Sequence, residues 1–136
     1  MDPSDERIAM EFNNLIDLGR DEVNTMSFAH RAIFYIVATR CEIDIDGFSS
    51  VYEQDLTAAE LATLVAALEV IGESDLATAF DRGYRLLEQD GYYNHLNWNL
   101  VPPETMAQIE LIGKQVGDRM WDLDAKLVAL LDDNTA

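Results

Sequence analysis

The residues most suggestive of chemistry are carboxylates in the segment Glu42-Ile43-Asp44-Ile45-Asp46-Gly47-Phe48-Ser49-Ser50-Val51-Tyr52-Glu53. Acids occupy its first, third, fifth and twelfth positions, and glycine its sixth. Oxygen ligands at those spacings wrap a hard cation in a twelve-residue calcium loop, where the glycine permits the sharp turn. Glu42, Asp44, Asp46 and Glu53 are therefore a candidate calcium set. Two positions depart from the pattern: Glu42 stands where Asp is usual, and Ser49 where the eighth residue is usually branched and apolar. No second loop of this kind occurs in the chain. Calcium binding is thus an alternative expectation, and no other cofactor is expected.

The remaining reactive side chains are few. Two histidines, one cysteine and unpatterned carboxylates form no recognisable zinc set. There is no glycine-rich phosphate loop and no nucleophile motif. Asp44 and Asp46 could move a proton in a cleft, but among 26 acids such pairs arise by chance, so no enzymatic activity is expected. His30, near the start of an apolar helix, reads as structural, and Cys41 as a small buried apolar residue. Trp121 reads as a core or dimer contact. The aromatic, Asn-rich stretch over 92–101, which contains His95, reads as a cap on the core or as a binding edge.

The elements that position these residues have a helical period almost throughout. Ser4 can cap a first helix carrying Ile8, Phe12, Leu15 and Ile16, with Gly19 as its stop. Ser27 can cap a second, whose broad apolar face (Phe28, Ala32, Ile33, Tyr35, Ile36, Val37) predicts a central buried helix. Residues 42–53 read as a turn and a short helix. Thr57-Ala58-Ala59-Glu60 is a capping box, and Leu61, Leu64, Val65, Leu68 and Ile71 come after it at helical spacing, with Gly72 at the end. Ser74 opens a further helix. Pro102 and Pro103 suit the start of the last one, which runs through Met106 to Leu130 with a bend at Gly113 or Gly117. No strand pattern and no repeat is present. The expectation is one all-α domain over residues 1–136, compact, with about six helices.

Charge then narrows the function. Nine Lys and Arg against 26 Asp and Glu give a net charge of −17, while 49% of the residues are apolar. That is enough for a core and unlike an acidic disordered tail. Negative charge argues against direct binding of nucleic acid or of anionic membranes. The longest apolar run, residues 32–38, is far short of the ~20 residues that span a bilayer. Met1-Asp2-Pro3-Ser4-Asp5-Glu6 lacks the basic and apolar regions of a secretory leader, so the expectation is a cytoplasmic protein.

Between Cys41 and Asp81 there are ten acids and no Lys or Arg. Several cations elsewhere stand one helical turn from an acid: Asp81 with Arg85, Glu110 with Lys114, Asp122 with Lys126. The uncompensated field is therefore expected mainly in the middle of the chain. Its candidate partner-binding residues are Glu42, Asp44, Asp46, Glu53, Asp55, Glu60, Glu69, Glu73 and Asp75. Such a surface attracts a basic partner and speeds association; the plainer reading is a highly soluble surface with no specific use.

Glu42-Ile43-Asp44-Ile45-Asp46-Gly47-Phe48 also resembles the Glu-x-Asn-x-Gly-Gly-Phe signature of a family of small helical domains of unknown function that includes a DNA-mimic protein. In that family the signature ends one helix, turns, and begins a short aromatic-rich helix, a role that falls to Phe48, Val51 and Tyr52. Ala66-Ala67-Leu68-Glu69-Val70-Ile71-Gly72 is similar to a second family segment, again just before a helix. The resemblance covers roughly residues 28–90 and, more weakly, the final helix. It departs from the signature at Asp46, where the family has Gly. It implies an all-α protein, one that can be dimeric, with an acidic face that occupies a basic DNA-binding protein by imitating DNA. An immunity-type inhibitor of a basic nuclease would use the same physics.

Overall fold

Helix α1 (Pro3–Leu18) begins two residues earlier than a cap at Ser4 would give. Asp2 is its cap: the Asp2 carboxylate accepts the Ser4 backbone N–H at 2.9 Å. Pro3 takes the first position, where a missing N–H costs nothing. The computed structural model describes residues 2–89 and 99–135, with the side chains of 54, 55, 134 and 135 outside that description. His95 and most of the aromatic stretch at 92–101 thus lie outside the described residues.

The described residues form seven α-helices and no strand. After α1 come α2 (Arg20–Val23), α3 (Phe28–Asp46), a π-helical turn (Val51–Asp55), α4 (Ala58–Val70) and α5 (Ser74–Glu88). The chain then forms α6 (Pro103–Val116), a 3-10 turn (Arg119–Asp122) and α7 (Asp124–Thr135). The single last helix read from the sequence is two. Gly117 adopts φ +49°, a conformation that L side chains avoid, and the chain breaks there. Gly113, the other candidate bend, stays inside α6.

Helix α3 is the centre. Ser27 caps it by accepting the His30 N–H, and Ser27 Oγ lies 2.6 Å from His30 Nδ1, which gives that histidine its structural role. Residues 32–37 of α3 are all buried, so the helix is enclosed on every side rather than amphipathic. It packs against α1, α2, α4 and α7, while α5 joins α4 to α6. The Thr57–Glu60 capping box forms as its sequence predicts: Thr57 Oγ1 accepts the Glu60 N–H at 3.2 Å, and Glu60 Oε1 accepts the Thr57 N–H at 3.0 Å. Among the described residues, no helix is long and apolar enough to cross a membrane.

Candidate acidic interaction surface

The segment 42–53 is not a calcium loop. Helix α3 continues through Asp46, so Glu42, Asp44 and Asp46 stand on its last turn, and Gly47 (φ +94°) ends the helix. Side chains two residues apart on a helix project about 200° apart. Asp44 therefore points away from both Glu42 and Asp46, and the three cannot converge on one ion. Among the described residues, no group of three His, Cys, Asp or Glu side chains is placed to hold a metal.

A hydrophobic anchor begins immediately after Gly47. Phe48, Val51 and Tyr52 are buried. The Phe48 ring lies 5.3 Å from Phe80 and 5.5 Å from Tyr52, centroid to centroid, and the Tyr52 hydroxyl donates to the Phe80 carbonyl at 2.9 Å. Two helical glycines make room for these rings. A Cβ at Gly113 would come within 2.7 Å of Phe48, and one at Gly83 within 2.2 Å of the Tyr52 hydroxyl. The acidic end of α3 is thus held rigidly to α5 and α6.

The nine candidate carboxylates separate by environment. Asp44, Asp46, Glu69 and Asp75 are exposed and belong to no ion pair among the described residues. Glu42 and Glu53 are half-buried. Asp55 closes the π-helical turn, and its side chain lies outside the description.

Glu60 leaves the surface set because it is a buried structural group. Its Oε1 takes the Thr57 N–H and faces Arg20 at 3.5 Å; its Oε2 accepts the Tyr35 hydroxyl at 3.0 Å. Tyr35 also hydrogen-bonds the Asn24 side chain. Burial pushes the Glu60 carboxyl up, but the Thr57 N–H, the Tyr35 hydroxyl and Arg20 outweigh it and hold the group below its usual range. The Tyr35 phenol, buried and facing that carboxylate, is pushed up to about 12.

Glu73 leaves it for another reason: it lies 2.6 Å from Lys126 and 3.5 Å from Arg119, so its charge is balanced locally.

The cations explain why the rest of the surface is uncompensated. Six of the nine face carboxylates: Arg7–Asp132 (2.7 Å), Arg20–Glu60 (3.5 Å), Arg40–Asp124 (2.7 Å), Arg85–Asp81 (2.7 Å), Arg119–Glu73 (3.5 Å) and Lys126–Glu73 (2.6 Å). Of the three helical pairs read from the sequence, only Asp81–Arg85 is present among the described residues. Arg40 is withdrawn from the surface altogether. Its guanidinium also donates to the Met120 carbonyl at 3.1 Å and lies 4.4 Å from the Trp121 ring centre. Trp121 is neither fully core nor fully exposed: it covers Arg40 while 41% of it remains accessible. Cys41 is half-buried, and burial pushes its thiol up, as suits a packing residue.

Exposed acids without an ion pair among the described residues are not confined to the middle of the chain. Asp17, Asp21, Glu22, Glu104, Glu110 and Asp118 share that state on α1, α2, α6 and the turn beyond it. The sequence-based concentration between Cys41 and Asp81 therefore overstates the contrast, since two of its ten acids are neutralised in the core or across helices and a third, Asp81, by Arg85. No family model, curated protein or solved structure matches the chain.

Proposed function

We propose that the protein is an acidic interaction module that occupies a basic, nucleic-acid-binding protein by presenting a nucleic-acid-like density of negative charge. The observation that carries this reading is the commitment of most cations to ion pairs, two of them at buried carboxylates, in a chain of net charge −17. Carboxylates on a rigid helical scaffold then face solvent with few cations among them. Asp44, Asp46, Glu69 and Asp75 are the contact residues this reading favours, with Glu42 and Glu53 beside them. The resemblance of residues 42–48 to a family that includes a DNA mimic supports the same reading, which extends to a dimeric form and to a basic nuclease as partner.

The test begins with capture of partners at low salt, elution by a salt gradient, and competition by duplex DNA. Binding to the captured basic protein is then measured for Asp44→Lys/Asp46→Lys/Glu69→Lys. The triple reversal should slow association by about tenfold or more and flatten its salt dependence, because steering is a long-range effect that salt screens. Unchanged association by this variant, or a partner indifferent to DNA, refutes the proposal.

A further inference from the structure

The Arg31 guanidinium is held in place without a hydrogen bond among the described residues. Its side chain makes no ion pair or hydrogen bond among the described residues, and its Nε is buried without a partner. What fixes it is the Phe28 ring, 5.7 Å from the guanidinium carbon. A guanidinium stays charged at any physiological pH, and stacking on an aromatic face orients it while leaving its outer N–H groups uncommitted.

Two adjoining cavities share Arg31 and Thr63, and together they form one groove between α3 and α4. On one side, about 260 Å³ is lined by Phe28, Ala62 and Ala66, which is an apolar shelf. On the other, about 380 Å³ is lined by Asn24, Thr57, Ala59 and Glu60. There the one carboxylate, Glu60, is already saturated by Thr57, Tyr35 and Arg20. The Ala59 N–H lies in the first turn of α4, where intrahelical acceptors are lacking. The groove thus offers donors beside a shelf of methyl groups.

We infer that this groove binds a carboxylate with a short branched hydrocarbon arm, the carboxylate on Arg31 and the arm on Phe28, Ala62 and Ala66. That chemistry is shared by a branched short-chain acid and by the C-terminal residue of a peptide. The local pairing of Glu60 makes room for an anion on a protein that repels anions elsewhere.

Amide NMR spectra of the full chain, titrated with isovalerate, test this. Saturable shifts are expected at Arg31, Thr63 and Ala66. Acetate, which lacks the arm, and isopentanol, which lacks the charge, should each bind more weakly by about tenfold or more. Arg31→Gln should abolish binding while its spectrum elsewhere stays folded, since Arg31 holds nothing else in place. Ala66→Leu should fill the shelf and weaken isovalerate more than acetate. N-acetyl-leucine separates the two sources: tighter binding than isovalerate assigns the groove to a peptide terminus, weaker binding to a free acid. No saturable shift with isovalerate, or equal binding by Arg31→Gln, overturns the inference.

Discussion

Gly83→Ala should destabilise this protein, although the same change in an ordinary helix stabilises it. Gly83 is an interior, buried position of α5. By helix propensity alone, alanine there gains about 1 kcal/mol. Its Cβ, however, would stand 2.2 Å from the Tyr52 hydroxyl and 2.6 Å from Cζ. The ring must move, but it is 3% exposed and packed edge-on against Phe48. Overpacking of this kind costs about 1–3 kcal/mol. Losing the Tyr52–Phe80 bond removes a buried hydrogen bond to a carbonyl that keeps its helical partner, at a further cost of about 0.5–1.5 kcal/mol. The net loss is about 0.5–3.5 kcal/mol after the propensity gain. Urea denaturation should show a lower midpoint with an unchanged slope. In a Tyr52→Leu background the penalty should shrink or change sign, because the obstacle is gone. A Gly83→Ala variant more stable than the parent would refute the placement of the 48–52 anchor, and with it the rigid attachment of the acidic end of α3.

Buried polar groups set four further outcomes. Arg40→Met should cost about 3–5 kcal/mol, because it strands the Asp124 carboxylate in the core; the thermal midpoint reads this, and a variant as stable as the parent would show that the pair is not buried as described. Burial pushes Asp124 up, against the opposing pull of Arg40, and a hydrogen bond with Asp5 adds to the rise. A raised carboxyl favours the native state at low pH, and that contribution is lost as pH rises from the unfolded value of about 3.9 through the folded one; Asp5→Asn should therefore flatten this loss and stabilise the protein at pH 7, and a parallel pH–stability curve would count against it. Glu60 has the opposite sign, being lowered: its contribution is present above about 4.3 and fades as pH falls through the folded value, so Glu60→Gln should remove that acid limb, and an ultraviolet titration should show Tyr35 ionising well above a free phenol, at about 12.

Local signals in the sequence carried most of the fold. Ser27, the Thr57–Glu60 box and Gly72 each act through neighbours within four residues, and each operates where the pattern places it. The rest needs tertiary information. Gly113 and Gly117 look alike as helix breakers, yet Gly113 stays helical to admit Phe48, and Gly117 takes the left-handed turn. The acids of residues 42–46 match a metal loop by type, but the apolar side of α3 continues past Cys41, and packing of Ile43 against the core keeps the last turn helical. The fate of individual side chains was the least legible. Glu60 and Glu69 are both helical glutamates; the capping box ties the Glu60 carboxylate to Thr57, but nothing in the sequence says that it also faces Tyr35 and Arg20 while Glu69 faces water.

That difference decides how charge reversal must be read. Glu60 and Glu73 are natural choices on sequence grounds, but reversing either removes a structural contact. Glu73→Lys would set a third cation against Arg119 and Lys126 and break a clasp between the start of α5 and α7. Exposed pairs contribute about 0–1 kcal/mol each, but like charges at this spacing add repulsion, so Glu73→Lys should lower the thermal midpoint measurably. Asp44→Lys/Asp46→Lys/Glu69→Lys breaks no ion pair and relieves repulsion, so its midpoint should hold or rise. If the proposed surface is real, the two variants part company: the triple reversal loses association rate at full stability, whereas Glu73→Lys loses stability and keeps most of the rate. Equal loss of rate by both would place the contact near Glu73 and α7. Loss of stability by the triple reversal would mean that Asp44, Asp46 or Glu69 has a structural role, and no binding defect could then be assigned to charge.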